Sequence, residues 1–589
     1  MNAPRALSSV AALTALGLLL AAFPAGCGAL PSAEVPPATP AVPLASAATS
    51  TPEGTPPTPV EPAPAARRDR FAVATENATA TRIAMDVLGR GGTAADAAIA
   101  GLLAAGVTHP VSSGIGGGGF ALVWDAQARK VTALDFRGAA PIGIKRGDYL
   151  ARPPPEKKRG VMVGVPGEIA GLAELHARWG RLAFTDLVRG AADAADKGFP
   201  LSAHMARALR WNEKWVLSTP RYGPLHPAGA LAAAGAAVRN PALAATLRRI
   251  GAEGKPAFYE GAIASDLLAT ARAGGSRMIQ ADLDRYKVIE REPLATTWEG
   301  HDVYTMPPPS AGGLMILETL HMHAKADLAA LGQDTGAYLH LLAETFRGAI
   351  ADRMHHVGDP AFVKTDAARL AAPARMKARR ARIKLDATTL AEQFPVTEAG
   401  TSHLVVIDGD GNVVSATSTV NNMFGSRLMA EGGFVLNDEL DDFTPDKLAK
   451  RFDARPEPNA PRGGARPASS MTPTIVLRER RPVLSLGGSG GMRIATGTTQ
   501  VLLSHLVFGR PVAQAVADPR IETPPTGGLL LDAATPVEIA QDLQKRGEVV
   551  ETSKPNFSAV QAISADYSDG GRVLRAGADP RKGGTGEVE

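Results

Sequence analysis

Residues 400–420 read GTSHLVVIDGDGNVVSATSTV. Residues 402–407 and 413–420 are rich in β-branched and aliphatic side chains, and Asp408-Gly409-Asp410-Gly411-Asn412 between them supplies the side chains and backbone freedom of a turn. The stretch therefore predicts a β-hairpin that begins at Thr401. A Thr at the start of a strand is ordinarily a β-branched residue fitted to a pleated surface, and nothing local sets Thr401 apart from that.

Upstream the patterns are mainly helical. Residues 77–88 and 94–105 are Ala-rich stretches split by Gly89-Arg90-Gly91-Gly92, which predicts a helical hairpin, and residues 168–179 and 184–197 predict further helices. Residues 120–124 and 131–136 predict short strands around a polar turn. Downstream of the hairpin, 474–477 and 482–486 predict strands, and 494–508 a helix. A mixed sheet covered by helices follows from this alternation.

The chain has 589 residues, 45% hydrophobic and 21% charged, enough apolar material for a large core. A formal charge of +4 points away from nucleic acid, and the densest basic run, 376–384, lies in a helix-forming stretch and predicts a solvated helix face. At the N-terminus, Arg5 followed by the apolar run 11–23 has the form of an export signal too short to span a bilayer comfortably. Pro24-Ala25-Gly26-Cys27 resembles a bacterial lipobox, with Pro24 where Leu is usual, and Cys27 is the chain's single cysteine. Residues 1–27 are thus expected to be a signal with a lipidation site at Cys27. Residues 28–69, rich in Pro, Ala, Thr and Ser, are expected to be an extended tether. The location that follows is the periplasm, with a lipid anchor in the outer membrane, or a soluble exported form.

Several motifs point to chemistry the rest of the chain does not support. Gly114 to Gly119 fits GxGxxG, but a strand follows it where a helix is required, so close backbone packing is the better reading. Gly487-Gly488-Ser489-Gly490-Gly491 fits the nucleophile elbow GxSxG, yet the one His beyond Ser489 is His505 in the next helix, and an acid followed by a His cannot be placed. The same glycines can instead aim backbone N–H groups at an oxyanion. The pairs His321/His323 and His355/His356 lack metal-ligand spacing.

What singles out Thr401 is its company. Thr108-His109-Pro110, Asp135-Phe136-Arg137, residues 306–310 (MPPPS) and Gly358-Asp359-Pro360 precede it; Thr417-Ser418-Thr419-Val420-Asn421, residues 437–443 (NDELDDF), residues 466–471 (RPASSM) and Gly490-Gly491 follow. In order and spacing, residues 71–581 resemble the gamma-glutamyltransferase (gamma-glutamyltranspeptidase, glutathione hydrolase) family of N-terminal nucleophile hydrolases. Ser310-Ala311-Gly312-Gly313 departs slightly from the commoner Ser-Ser-Gly-Gly. The stretch between Asp442 and Ser469, a lid in many relatives, is here rich in Pro and Arg.

The resemblance implies an α+β fold, a four-layer αββα sandwich built from both fragments of a precursor cut between Gly400 and Thr401: a large subunit, 70–400, and a small catalytic subunit, 401–589. It implies Thr401 as nucleophile, Thr419 as its hydrogen-bond partner, and Gly490 and Gly491 as the oxyanion hole. Arg137 with Ser469 and Ser470 would read the substrate α-carboxylate; Glu439, Asp442 and Asn421 its α-ammonium. Expected partners are gamma-glutamyl donors such as glutathione, with amino acids, peptides or water as acceptors, and neither metal nor organic cofactor is called for. Relatives that act as acylases or poly-gamma-glutamate depolymerases, and an inactive lipid-anchored binding protein, are the alternatives.

Overall fold

The structure, a computed structural model, describes residues 68–149, 154–389, 400–444, 457–524, 527–552 and 558–589. The expected signal with Cys27, all but the end of the tether, and part of the stretch between Asp442 and Ser469 lie outside the described residues.

The strands that concern the site are β1 (Ala72–Thr75), β2 (Gly118–Asp125), β3 (Lys130–Phe136), β4 (Ile289–Arg291), β5 (Leu294–Trp298), β6 (His301–Thr305), β7 (Ser402–Ile407), β8 (Val413–Thr419), β9 (Thr474–Arg478), β10 (Arg481–Ser489), β11 (Ala559–Asp566), β12 (Val573–Ala578) and β13 (Thr585–Val588). They form a seven-stranded sheet in the order β13-β1-β7-β8-β2-β3-β4 and a six-stranded sheet in the order β12-β11-β10-β9-β6-β5. Every pairing in both is antiparallel. The single mixed sheet read from the local patterns is therefore corrected to two antiparallel sheets.

Strand β7 shows how the sequence builds the layers. Leu404 and Val406 join the core under the helices α1 (Ala78–Gly89), α2 (Ala94–Thr108), α3 (Glu168–Trp179) and α4 (Phe184–Lys197), whereas Val405 and Ile407 point into the core between the sheets. Alternation along a strand feeds two cores at once because successive side chains leave opposite faces. The second sheet repeats the device: Ile475 and Ile563 face the first sheet, while Val476, Leu484 and Val560 face α5 (Gly312–Met322), α6 (Gly336–His356) and α7 (Arg493–Leu506). The result is a four-layer αββα sandwich, the α+β fold that the resemblance implies.

The helical hairpin forms where the Ala-rich stretches predict it. Asn77 caps α1 by accepting from the Thr79 and Ala80 amides, and Thr93 with Asp96 makes a capping box on α2, every residue of which is buried. Small side chains let α2 lie close against β7 and β8. The glycine run 114–119 serves close packing, since a Cβ at Gly117 or Gly119 would stand 2.0 Å from a carbonyl oxygen of β8.

One surface expectation is corrected at a single residue: Lys377, Arg382 and Lys384 are exposed as the solvated face requires, whereas Arg379 is half-buried. In the basic run 376–384 the helix ends at Arg380, and Arg379 turns inward to Glu318 and Asp352, both 3.3 Å away. Arg375 also reaches Asp352 at 2.7 Å, so two buried acids, which the linear pattern could not reveal, draw these cations in.

The Gly400–Thr401 bond lies at the head of a central strand. β7 is flanked by β1 from the chain before the bond and by β8 from the chain after it, and β8 pairs in turn with β2. Residues 68–400 and 401–589 are thus interleaved within one sheet.

Candidate active site

Thr401 owes its surroundings to the hairpin register. Ser402 pairs with Ser418, so the next step outward brings Thr401 opposite Thr419. Their Oγ atoms stand 3.3 Å apart, and Thr401 is buried to 3% exposure. The Thr419 hydroxyl donates to the Gly400 carbonyl at 3.1 Å and accepts from the Asn421 amide at 2.8 Å. The Thr401 hydroxyl also contacts the Gly400 carbonyl. Gly400 has φ of +114°, and a Cβ there would lie 2.5 Å from the Asn421 carbonyl oxygen, so glycine alone fits without strain.

Behind the nucleophile is a cation that sequence reasoning missed. Lys582, seven residues from the C-terminus and 7% exposed, donates from Nζ to Thr401 O at 2.7 Å, to Ser489 Oγ at 2.6 Å and to Glu76 Oε2 at 3.2 Å. Burial raises the Glu76 carboxyl from its ordinary range, and Lys582 pulls it back. The signal in the sequence was only a Lys in a polar tail; what gives it meaning is β13, which folds the tail beside β1.

Ser489 opens the turn Gly490-Gly491 that links β10 to α7. Its hydroxyl is bonded to Lys582, and His505, the one His that follows it in the chain, is engaged with the Arg510 carbonyl at 2.7 Å. Gly490 and Gly491 have φ of +125° and +66°. A Cβ at Gly490 would stand 2.9 Å from Ser558 Cα.

The third group is a buried cluster of charge. The Arg137 guanidinium, 1% exposed, contacts Glu439 Oε2 at 3.0 Å through Nη1 and Asp442 through Nη2. Glu439 also accepts from the Gly138 amide at 2.9 Å; burial raises its pKa and Arg137 opposes the rise. The backbone of Arg137 is held too: its amide donates to Asp135 Oδ1 at 2.9 Å, and Tyr286 donates to its carbonyl at 2.9 Å. Asp135 is itself clasped by Arg466 and Arg291, both at 2.6 Å. The cation and the acids expected to bind opposite ends of a zwitterion thus neutralise one another here. Ser469 and Ser470 are buried, the first accepting from the Met471 amide at 3.2 Å, and no hydrogen bond to Ser470 Oγ is present among the described residues. Asn421 Nδ2 donates to the Asp438 carbonyl at 3.2 Å.

Elsewhere, His340, Glu344 and Glu548 bring ligand-type atoms within 4.8 Å of one another. Arg347 pairs with both acids, 2.6 Å from Glu344 and also against Glu548, so a guanidinium already supplies positive charge there. His321 and His323 serve structure, bonding Thr296 at 2.6 Å and Thr345 at 2.9 Å.

Comparison with known proteins places the chain in a family. A family model described as Gamma-glutamyltranspeptidase matches residues 80–588. The chain belongs to that family. It is 33% identical over 526 residues to the glutathione hydrolase proenzyme of Bacillus subtilis (strain 168), covering 85% of this chain and 88% of the relative. It is 36% identical to glutathione hydrolase 2 of Arabidopsis thaliana, over 87% and 93% of the two chains. Among solved structures, cephalosporin acylase from Bacillus halodurans superimposes with a TM-score of 0.77 at 26% identity, over 90% of this chain and 98% of that one. As a gamma-glutamyltranspeptidase family member the chain is an enzyme, and Thr401, Thr419, Arg137 and Asp442 fall within the matched span.

Proposed function

We propose that the chain is a gamma-glutamyltransferase and glutathione hydrolase that first cuts itself between Gly400 and Thr401. The observation that carries this reading is the pair of hydroxyls, Thr401 and Thr419, both placed at the Gly400 carbonyl. In the precursor Thr401 Oγ attacks that carbonyl carbon while Thr419 donates to its oxygen. The C–N bond breaks, the nitrogen takes the proton, and an ester remains that water hydrolyses. The products are a Gly400 carboxylate and a Thr401 α-amine. An α-amine has a pKa of about 7.7 to 8, so near neutral pH it serves as the base for its own hydroxyl.

Catalysis repeats the chemistry on substrate. Thr401 Oγ bonds to the γ-carbonyl carbon of the donor, its proton passes through the α-amine to the departing amine, and a gamma-glutamyl ester forms. Water or an amino acid then takes the acyl group. Arg137, with Ser469 and Ser470, receives the donor's α-carboxylate, while Glu439, Asp442 and Asn421 receive its α-ammonium; the zwitterion replaces contacts the side chains make with each other. The Gly490 and Gly491 amides hold the tetrahedral oxygen. The two fragments, 70–400 and 401–589, stay together as a heterodimer because β1, β7, β8 and β2 alternate between them. Export, and a lipid anchor at Cys27, remain proposals from the sequence.

The likeness to a cephalosporin acylase raises a second reading, a related acylase, for which a glutaryl donor lacking the α-ammonium is the discriminating probe. The two acids against Arg137 favour the amino-bearing donor. The test is expression of the exported chain beside Thr401→Ala, followed by a denaturing gel and assay on a gamma-glutamyl anilide. Two fragments, the smaller beginning at Thr401, and turnover in the wild type alone are expected. An uncut, inactive wild type would overturn the proposal, and turnover of a glutaryl anilide in preference would favour the acylase.

A further inference from the structure

The turn proposed to hold the oxyanion is built from residues that leave its peptide plane free to rotate. Gly490 and Gly491 both have φ in the region that only glycine enters easily, so no side chain resists a flip of the peptide between them. A trans peptide directs its C=O and N–H to opposite sides. A flip would therefore put a carbonyl oxygen where the N–H had been, and an oxyanion there would meet repulsion.

Arg493 opposes that flip. Its Nε donates to the Gly490 carbonyl at 3.1 Å, and Glu522 Oε2 lies 3.7 Å from the same nitrogen, the two side chains being 16% and 10% exposed. The position is unfavourable on local grounds. Arg493 begins the 14-residue helix α7, and a cation in the first turn opposes the helix dipole where an acid would be favoured. At the other end of the turn, Ser489 is joined to the Thr401 carbonyl through the Lys582 ammonium, which fixes the turn beside the nucleophile.

We propose that Arg493 is a positioning residue for acyl transfer: by holding the Gly490 carbonyl it keeps the Gly491 N–H directed at the tetrahedral oxygen, and Glu522 holds Arg493 in that pose. The inference rests on the acyl-transfer reading above. Arg493 gives and takes no proton. A cation on the carbonyl also polarises the amide, making its N–H a stronger donor. The contribution appears only when charge develops on the substrate oxygen, so it belongs to kcat and leaves ground-state binding alone.

The test uses the self-cut full chain with wild type, Arg493→Gln, Arg493→Lys and Glu522→Gln. Turnover of a gamma-glutamyl anilide is read as kcat and KM, with separate affinities for free glutamate, a ground-state ligand, and for a boronic acid carrying the gamma-glutamyl side chain, which forms a tetrahedral adduct on Thr401. Arg493→Gln is expected to lower kcat by about tenfold to a hundredfold and to weaken the boronate in parallel, with KM and glutamate affinity within about twofold, given that a lost oxyanion donor costs roughly a hundredfold or more. Arg493→Lys should recover part of the loss, and Glu522→Gln should show a smaller effect of the same kind. Should Arg493→Gln fail to fold or cut itself, Arg493→Lys decides by the same ratio of boronate to glutamate affinity. Unchanged kcat, or equal weakening of glutamate and boronate, would overturn the inference. An inactive wild type would instead sink the acyl-transfer reading.

Discussion

Thr419 Oγ lies 3.3 Å from Thr401 Oγ, and both hydroxyls reach the carbonyl of Gly400. The antiparallel register of β7 and β8 makes the pair, and the Asn421 amide fixes the direction of the second hydroxyl by donating to it. Thr419 therefore has its one proton to give to the carbonyl of the bond to be broken. Thr419→Ala should slow self-cutting by about tenfold or more, since the lost bond is made to a carbonyl that gains charge in the transition state. Thr419→Ser should keep most of the rate. The appearance of the smaller fragment on a denaturing gel over time measures both.

Gly400→Ala should also block cutting, by a different route. The added Cβ would stand 2.5 Å from the Asn421 carbonyl oxygen at a φ of +114°, so the peptide must shift away from both hydroxyls. The expected product is a folded, uncut chain with unchanged far-UV circular dichroism. Normal cutting in this variant would show that the junction tolerates a displacement the geometry disallows.

Arg137→Lys should keep the positive charge and lose function. An ammonium cannot contact Glu439 and Asp442 together in the planar fork that Arg137 uses, nor meet a carboxylate with two parallel N–H donors. KM for a gamma-glutamyl anilide should rise by at least tenfold while the chain still cuts itself. Arg137→Ala is harsher, because removing one partner of a buried ion pair costs about 3–5 kcal/mol, and a fall in Tm is expected with it. Asp442→Asn should raise KM for gamma-glutamyl donors more than for glutaryl ones, which lack the ammonium.

Most elements of the fold were legible because period and punctuation agree in them. Helices α3 and α4 and strand β7 run over the residues that their patterns predict, and Thr93-Asp96 and Asn77 mark helix starts by their side chains. The pairing of two separate antiparallel sheets was not, since register joins β1 to β7 and β13 across hundreds of residues, and no local pattern encodes that. The site divides the same way. Thr401, Arg137 and Asp442 stood out through ordered motifs, but Lys582, Arg493 and the mutual pairing of Arg137 with two acids are matters of three-dimensional proximity. The inward turn of Arg379 was misread for the same reason, as its acids lie on other helices.

Lys582→Met separates support of the nucleophile from support of the fold. It removes the contacts with the Thr401 carbonyl and Ser489 and leaves Glu76 buried without its cation, so both Tm and turnover should fall. Adding Glu76→Gln should restore much of the Tm by removing the stranded charge. It should not restore turnover, because the Lys582 link from the Thr401 carbonyl to Ser489 at the start of that turn is gone. Recovery of both together in the double variant would make Lys582 purely structural.

The cluster around His340 predicts a pH dependence with a definite sign. His340 Nδ1 lies 2.7 Å from Glu548 and Nε2 lies 2.9 Å from the Lys384 carbonyl, so both ring nitrogens face acceptors, an arrangement that favours the imidazolium. Burial works against the charge, but Glu548 and the carbonyl outweigh it, and the net shift is upward from 6.5. A raised pKa in the folded state contributes stability that is fully present below about pH 6.5 and is lost as pH rises through the folded value. His109, His323 and His403 are displaced the other way, to about 3, by burial, so their effect falls on the acid limb, where stability drops as pH falls below 6.5. The two limbs are therefore separable. Since Glu548 also pairs with Arg347 and follows the Gly400–Thr401 bond while His340 and Arg347 precede it, the cluster ties the two expected fragments together. In a series of Tm measurements on the cut protein from pH 5.5 to 9, the wild type should lose stability on the alkaline side of 6.5, and His340→Gln should flatten that limb while leaving the acid limb in place. An alkaline slope equal in both proteins would show that His340 is neutral in the folded state.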